Sequence, residues 1–533
     1  MSQLLQVGRR LRRSPAFTGI VILTLAVGIG ANAALFSVLN GILLKPLPFP
    51  KAEQLVGVWQ TAPGISVKKL EASPATYFTY REESRAFQDI GLWRNDTMSV
   101  TGVAEPEEVP ILSMTDGMFS ILGVQPVLGR AFTRQEDSPA APRTALLSYG
   151  YWQQRFGGDR QVIGRNIVAD GEARQIIGVM PRDFRFMNRQ PSLVVPFRFD
   201  RSKTFIGNFS FRAIARLRPG VSIAAANADV ARMLPMLLTK FPPAPGLSAK
   251  MIEEARLGPD VHPLKEDVIG DIGKVLWVLM GTVGIVLFIA CANVANLLLV
   301  RAEGRQQELA VRAALGAGRG RLARELLTES VTLGLIGGAA GLALAYVALR
   351  LLVRLGPASL PRLDEIGIDT SALLFTLLTS LVAGLFFGVL PVMKYAGAGI
   401  SGTLRQGGRN SSQGKERHRA RSVLVVVQVA LALVLLVSSG LMIRTIVALK
   451  QVPPGFKAPG ELLTLRVFIP ESQGATPEQV VQTDREIMRR MEAIPGVSSV
   501  ALSNSVTMDG NTDNDPVFAE DHKYSEGQIP TLR

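Results

Sequence analysis

VLWVLMGTVGIVLFIACANVANLLLV, Val275 to Val300, runs for 26 residues without a charge, and RAEGRQQELAVRAALGAGRGRLARELLTES, Arg301 to Ser330, follows it with six arginines and a glycine-broken middle. The first string is long enough to cross about 30 Å of hydrocarbon as a helix, which takes roughly 20 apolar residues. Four more charge-free runs reach that length: Thr18 to Leu44, Ser330 to Leu349, Thr370 to Met393 and Ser422 to Ile443. Five transmembrane helices are predicted.

The net charge of +14 would suit a nucleic-acid partner, but its distribution argues otherwise. The first 17 residues carry +4, Arg301 to Glu325 carry +3, and Lys394 to Arg421 carry +6. These are alternate flanks of the five runs, as the positive-inside rule requires of a cytoplasmic N-terminus. Lys45 to Gly273 carries +4 over a far longer stretch, Arg350 to Asp369 is neutral, and Arg444 to Arg533 carries −3. Topology thus accounts for the basicity; the predicted partner is the lipid bilayer, not nucleic acid.

The resulting division has a cytoplasmic N-terminus (1–17), a first helix (18–44), an exported domain (45–273), a second helix (275–300) and a cytoplasmic elbow (301–329). Helices at 330–349 and 370–393, a cytoplasmic linker at 394–421, a fifth helix at 422–443 and a further exported segment at 444–533 complete it. A secretory signal peptide is the alternative for the first helix, since RRLRR precedes an apolar run with a small-residue triplet at Ala31 to Ala33. The charge-free run from Ser14 to Leu44 is 31 residues, about twice a typical signal h-region. A retained helix fits better.

The single cysteine, Cys291, lies inside the second helix, so no intramolecular disulfide is possible. The exported domain must hold by packing, and its length allows a core of its own. QLVGVWQ, RQIIGVMP, PSLVVPF and FRAIARLRPG read as strands closed by Pro or Gly. SIAAANADVARMLPMLLTKF has helical apolar spacing, and SPATYFTYREESRAF opens on a Ser-Pro start signal. An α+β domain follows.

A repeat spans the chain at an offset of about 405 residues. Its first copy runs from a basic flank through a helix to LKPLPFPKAEQLVGVW; its second runs from RHRARS through the fifth helix to LKQVPPGFKAPGELLTLRV. Each has a Leu-Lys exit, a proline-rich turn and a Glu-containing entry to an expected strand. A flexible Gly/Ser-rich segment, GAGISGTLRQGGRNSSQG, lies between them. The second copy is incomplete at Arg533, which points to a fragment of a longer duplicated chain.

FSILGVQPVLGRAF, LSYGYWQQRFGGDRQVIGRNIVADGEARQIIGVMPRDFRF and ARLRPGVS resemble the signature runs of a MacB-type periplasmic core. RQQELAVRAALGAGRGRLARELLTES is similar to the cytoplasmic run of an FtsX-type membrane domain, here 275–400, and LVVVQVALALVLLVSSGLMIRT to the helix that opens a second copy. The chain resembles the MacB-like and FtsX-like permeases of ABC transporters, in their duplicated orphan permease branch. The resemblance implies an α-helical membrane protein of the bacterial inner (cytoplasmic) membrane with an exported α+β domain of the MacB type.

No phosphate loop of the form G-x-x-x-x-G-K-[ST] occurs, so ATP hydrolysis is expected in a separate chain, and no cofactor is predicted. GIGANA, Gly28 to Ala33, mimics a dinucleotide fingerprint but lies within an apolar run, where small residues serve helix packing. Gly337 with Gly341 and Gly384 with Gly388 have the G-x-x-x-G spacing that lets helix backbones approach. Asn293, Asn296 and Gln428 are expected to hydrogen-bond between helices. His262, His418 and His522 are scattered, and His262 has no His or Cys at ligand spacing; neither a catalytic nor a metal site is predicted.

The elbow remains. Glu308 and Arg312 are i, i+4 partners in the stabilising order, and GAGRG, Gly316 to Gly320, breaks the helix. Physical chemistry alone reads a solvated loop of two short helices. The resemblance implies that a cytoplasmic ATPase docks there, which singles out Arg305, Glu308, Arg312, Gly316 and Arg319. The expected function is that of a non-catalytic permease subunit coupling such an ATPase to the exported domain, for export or mechanotransmission. The alternative is a membrane interaction or signalling protein that controls an extracytoplasmic partner without transport.

Overall fold

The computed structural model describes residues 7–9, 11–12, 14–102, 105–187, 189–270, 272–304, 319–355, 362–397, 413–452, 459–465, 467 and 476–503. It separates into two compact units. One comprises Met1–Lys45 and Ile269–Val452, the other Pro46–Val268 and Pro453–Arg533.

Five helices of the first unit are long and apolar enough to cross a membrane: Pro15–Leu44, Ile272–Gly304, Gly320–Leu355, Thr370–Val389 and Val425–Lys450. The first starts at Pro15, where a missing N–H is no loss, and ends in a π-turn at Asn40–Leu44. The charge-free runs mark only the apolar middles of these helices. The third extends over Arg319–Leu355, 37 residues, or about 55 Å at 1.5 Å per residue. Its charged first turns are one rod with the membrane span, so the second half of the elbow is not a separate short helix. Val21, Leu25 and Ile29 of the first helix form the centre of the bundle, meeting Val294 and Leu298 of the second, Leu333 of the third and Phe387 of the fourth.

The exported unit contains an eleven-stranded mixed sheet. Its strands are β1 (Leu55–Ala62), β2 (Val67–Leu70), β3 (Phe87–Thr101), β4 (Glu107–Met114), β5 (Leu128–Gly129), β6 (Thr144–Leu147), β7 (Asn166–Ala169), β8 (Glu172–Val179), β9 (Leu193–Pro196), β10 (Arg212–Leu217) and β11 (Gly258–Pro263). The order is β11-β1-β10-β3-β4-β9-β6-β8-β5, with β2 on β1 and β7 against β3 and β8. β4 with β9 and β6 with β8 are parallel pairs; the other pairings are antiparallel. The four expected strands correspond to β1, β8, β9 and β10.

The period of two along each strand assigns side chains to opposite cores. Val56, Val58, Ala213 and Ala215 face the helix Ile223–Met233, which buries Ala226, Val230 and Met233 at i, i+4, i+7. Leu55 and Ile214, one position out of phase, join Trp93, Leu112 and Met114 in a second core. The helix Pro74–Glu83 begins as its sequence indicates: the N–H of Thr76 donates to Ser73 Oγ, the N–H of Ser73 donates back to Thr76 Oγ1, and Pro74 occupies the first turn.

The strand expected in ELLTLRV of the second copy is absent among the described residues, where 462–465 are irregular. In the first copy the corresponding β1 is held by β10 and β11, contributed by residues far along the chain. A strand needs such partners; the described residues after Leu465 supply none.

Candidate functional site: the base of the charged elbow

Arg305, Glu308, Arg312 and Gly316 lie outside the described residues, and Arg319 opens the third membrane helix. The described residues on either side, in the second and third helices, do come together. Arg301, one turn before the second helix ends, pairs with Glu329 of the third across 3.3 Å, with side-chain exposures of only 16% and 7%. The Arg301 guanidinium also lies 4.5 Å from the ring centre of Phe17 in the first helix, where a cation is attracted by the ring face. Composition predicts solvation for such charges; three helices instead enclose them. The 28 positions separating the pair hide it from any local pattern.

Above this pair the helices touch through glycines. A Cβ on Gly341 would lie 2.9 Å from Ala26 O and from Gly30 N of the first helix, and one on Gly337 would lie 2.6 Å from Leu25 Cβ. A Cβ on Gly384 of the fourth helix would lie 2.9 Å from Val331 Cα, and one on Gly388 would collide with Ser330. A stripe that the spacing argument missed, Gly334 and Gly338, turns toward Ser380 of the fourth helix. The third helix therefore carries two glycine ridges and is wedged at backbone distance between the first and fourth. GIGANA supplies Gly30 to this contact, and its Asn32 donates to Val283 O of the second helix at 3.0 Å.

The expected polar contacts of the other intramembrane amides differ from this. Among the described residues, Asn296 Oδ1 and Gln428 Nε2 find no hydrogen-bond partner, and Asn293 is exposed. Asn32 makes the interhelical bond because it stands at the crossing where small neighbours let backbones approach.

In the exported unit His262 of β11 is bracketed by carboxylates, with Nδ1 3.0 Å from Asp260 Oδ1 and Nε2 2.9 Å from Asp267 Oδ1. Asp267 also accepts from Trp59 Nε1 at 2.8 Å and from Lys69 Nζ at 2.9 Å. The hydrogen bond to Asp267 raises the His262 pKa above its ordinary value, against the opposing effect of burial. A second cluster gathers around Arg81, which forks onto Asp116 at 2.7 and 2.9 Å. Beside it burial pushes Asp137 up to about 7, although the backbone N–H groups of Arg198 and Asp116 donate to it. Sequence alone pairs none of these groups. Among the described residues no three His, Cys, Asp or Glu side chains are arranged to hold a metal ion.

Residues 18–233 match the family described as MacB-like periplasmic core domain, and residues 280–400 match the FtsX-like permease C-terminal family. The "Uncharacterized ABC transporter permease YknZ" of Bacillus subtilis (strain 168) is 26% identical over 309 residues, covering 57% of this chain and 71% of that protein. The "Macrolide export ATP-binding/permease protein MacB" of Chromobacterium violaceum is 25% identical over 242 residues, covering 44% of this chain and only 34% of that protein. Among solved structures, the periplasmic region of MacB from Actinobacillus actinomycetemcomitans aligns at 11% identity with a TM-score of 0.30, covering 44% of this chain and 95% of that one.

Proposed function

Since the chain is an ABC transporter permease of the MacB-like and FtsX-like kind, we propose that it is a non-catalytic subunit that couples a separate cytoplasmic ATPase to its exported domain. Residues 301–329 are the docking elbow on the cytoplasmic face, with Arg305, Glu308, Arg312, Gly316 and Arg319 as its contact residues. The protein sits in the bacterial inner membrane with its N-terminus inside, the orientation favoured by the three basic flanks.

The observation that carries this reading is the buried Arg301–Glu329 pair. The pair is a charge contact between the second and third helices, and it opposes their separation when the elbow is pushed. From there the third helix bears on the first through Gly341 and Gly30, and the first helix runs on into the exported domain at Lys45. Displacement of the elbow thus has a stiff route outward, as a permease that works on the outer side without a wide channel requires. Residues 444–533 belong to a second exported domain of the same kind.

Reversing Arg312 to Glu sets a like charge against the carboxylate it meets on the ATPase. Like charges at an interface can cost several kcal/mol, so recovery of the co-purified ATPase should fall by more than about tenfold. Arg350→Glu, on the opposite flank, is the control. Equal recovery from both variants and the wild type would return the elbow to a solvated loop.

A further inference from the structure

The outer end of the membrane unit holds a second buried charge network. The first helix leaves the bundle through the π-turn Asn40–Leu44, closed by the N–H of Lys45 donating to Asn40 O at 2.9 Å. A helix end of this kind exposes carbonyls that need donors. They come from Arg362, between the third and fourth helices. Its side chain is 4% exposed, and Nη1 donates to Lys45 O at 2.9 Å and to Ile42 O at 3.4 Å. Its charge is balanced locally, since Nε and Nη2 donate to Glu365 at 3.0 and 2.5 Å.

Asp369 grips the same turn from the other side. Its Oδ2 accepts from Asn40 Nδ2 at 2.8 Å and lies 3.1 Å from Lys45 Nζ. Its Oδ1 accepts from the N–H of Ala372 at 2.9 Å, in the first turn of the fourth helix. Between the two grips, Ile42 and Ile366 share an apolar cluster with Leu276 and Leu349 of the second and third helices. Arg362 itself has φ +55°, a left-handed backbone that a bulky L-residue adopts only when its surroundings impose it. π-turns and strained residues concentrate where a protein works.

We propose that Arg362 and Asp369 are positioning residues that clamp the exit of the first helix to the third and fourth helices. Lys45, the residue they hold, is the last before the exported domain, so the clamp fixes the point at which the chain leaves the membrane unit. This deepens the coupling role proposed above and rests on it. Arg362 fixes the joint through which motion leaves the membrane.

The test uses the full chain in lipid nanodiscs with Cys291→Ala and spin labels at Leu44→Cys and Leu373→Cys, both about half-exposed, one at the end of the clamped turn and one in the first turn of the fourth helix. The clamped protein gives one narrow distance distribution. Arg362→Ala and Asp369→Ala lose it, each giving a broad or split distribution. Arg362→Lys, which keeps the charge but not the fork, lies between them and guards against a variant that merely misfolds. Arg350→Ala, on the neighbouring helix face, stays narrow.

Narrow distributions in the clamp variants overturn the proposal. So does a clamp variant with a broad distribution whose exported domain, labelled at Gly158→Cys, still responds to ATP and the co-purified ATPase as the wild type does. A wild type that binds no ATPase defeats the coupling role separately, and the Leu44–Leu373 distances then still decide whether the clamp exists.

Discussion

The first and fifth membrane helices open matching stretches of sequence, and the fifth is no less apolar than the first. Yet 44% of the first helix's apolar window is buried within the protein, against 0% for the fifth. Gly30 of the first meets Gly341 of the third helix at backbone distance, whereas a Cβ on Gly440 of the fifth would meet no atom within 4 Å among the described residues. Two helices outside the membrane spans repeat the contrast. Ser73 and Thr476 each cap a helix that begins with proline. The Ser73 helix buries Pro74 to Tyr77 with Thr79 and Tyr80, while the Thr476 helix has no buried residue among those described. Local chemistry makes the same elements twice. Burial depends on partners from elsewhere in the chain, and in a bilayer helix formation precedes and does not require them.

The sharpest way to break this comparison is to remove a charge from the packed bundle and a polar group from the bare helix. Glu329→Ala removes the 7%-exposed carboxylate that faces the Arg301 guanidinium. Loss of one member of a buried pair costs about 3–5 kcal/mol, and thermal unfolding in detergent should register it. Ser439→Ala on the exposed face of the fifth helix should stay within about 0.5 kcal/mol. Comparable losses would mean that the fifth helix is packed after all.

A smaller effect is expected from a single methyl. Gly341→Ala puts a Cβ 2.9 Å from Ala26 O and Gly30 N, both backbone atoms that cannot rotate away. Overpacking of this kind costs about 1–3 kcal/mol. Gly440→Ala meets open space, and the better helix propensity of alanine should leave it neutral or stabilised by up to about 1 kcal/mol. The same unfolding assay reads the opposite signs.

The helix caps sharpen the comparison at the level of one hydrogen bond. The Thr76 N–H that Ser73 accepts is buried, so Ser73→Ala should cost near the upper end of cap losses, about 2 kcal/mol. Thr476 is exposed, and water can replace its oxygen, so Thr476→Ala should cost about 0.5 kcal/mol. Amide hydrogen exchange in the first turn of each helix measures both. Equal protection losses would refute the claim that burial, not the cap itself, separates the copies.

These differences also mark where the sequence was readable. A lipid-spanning segment must exclude charge and satisfy its own backbone, so Val275–Val300 and its four counterparts are visible without any partner. The caps at Ser73 and Thr476 are equally local. Sheet order is not: β1 lies between β10 and β11, which follow it only after most of the domain, and no period in β1 encodes them. Arg301 and Glu329 read as solvated charges because their enclosure depends on the crossing of three helices. The bracket around His262 went unread, although part of it is local. Asp260 and His262 stand two apart on β11 and therefore share a face, although only the fold brings Asp267 and Lys69 to them.

That bracket gives the smallest and most selective test, because the described part of the second copy has no counterpart to it. Hydrogen bonding to Asp267 and Asp260 raises the His262 pKa in the folded protein. A group whose folded pKa is raised contributes stability that is fully present below its unfolded value, about 6.5 for histidine. The contribution disappears as pH rises through the folded value, when the imidazolium loses its proton and one of its two donated hydrogen bonds. Unfolding of the exported domain within the full chain should therefore show a stability advantage of wild type over His262→Gln at pH 6 that fades by pH 9. Taking the difference removes the contribution of Asp137, which is raised to about 7 and would otherwise overlap the same window. Asp267 works in the opposite direction: its pKa is lowered, so its share is lost only as pH falls toward the acid range. A wild-type advantage that is constant from pH 6 to 9 would mean that His262 packs without holding the extra proton. The bracket would then be a neutral contact instead of a protonated latch.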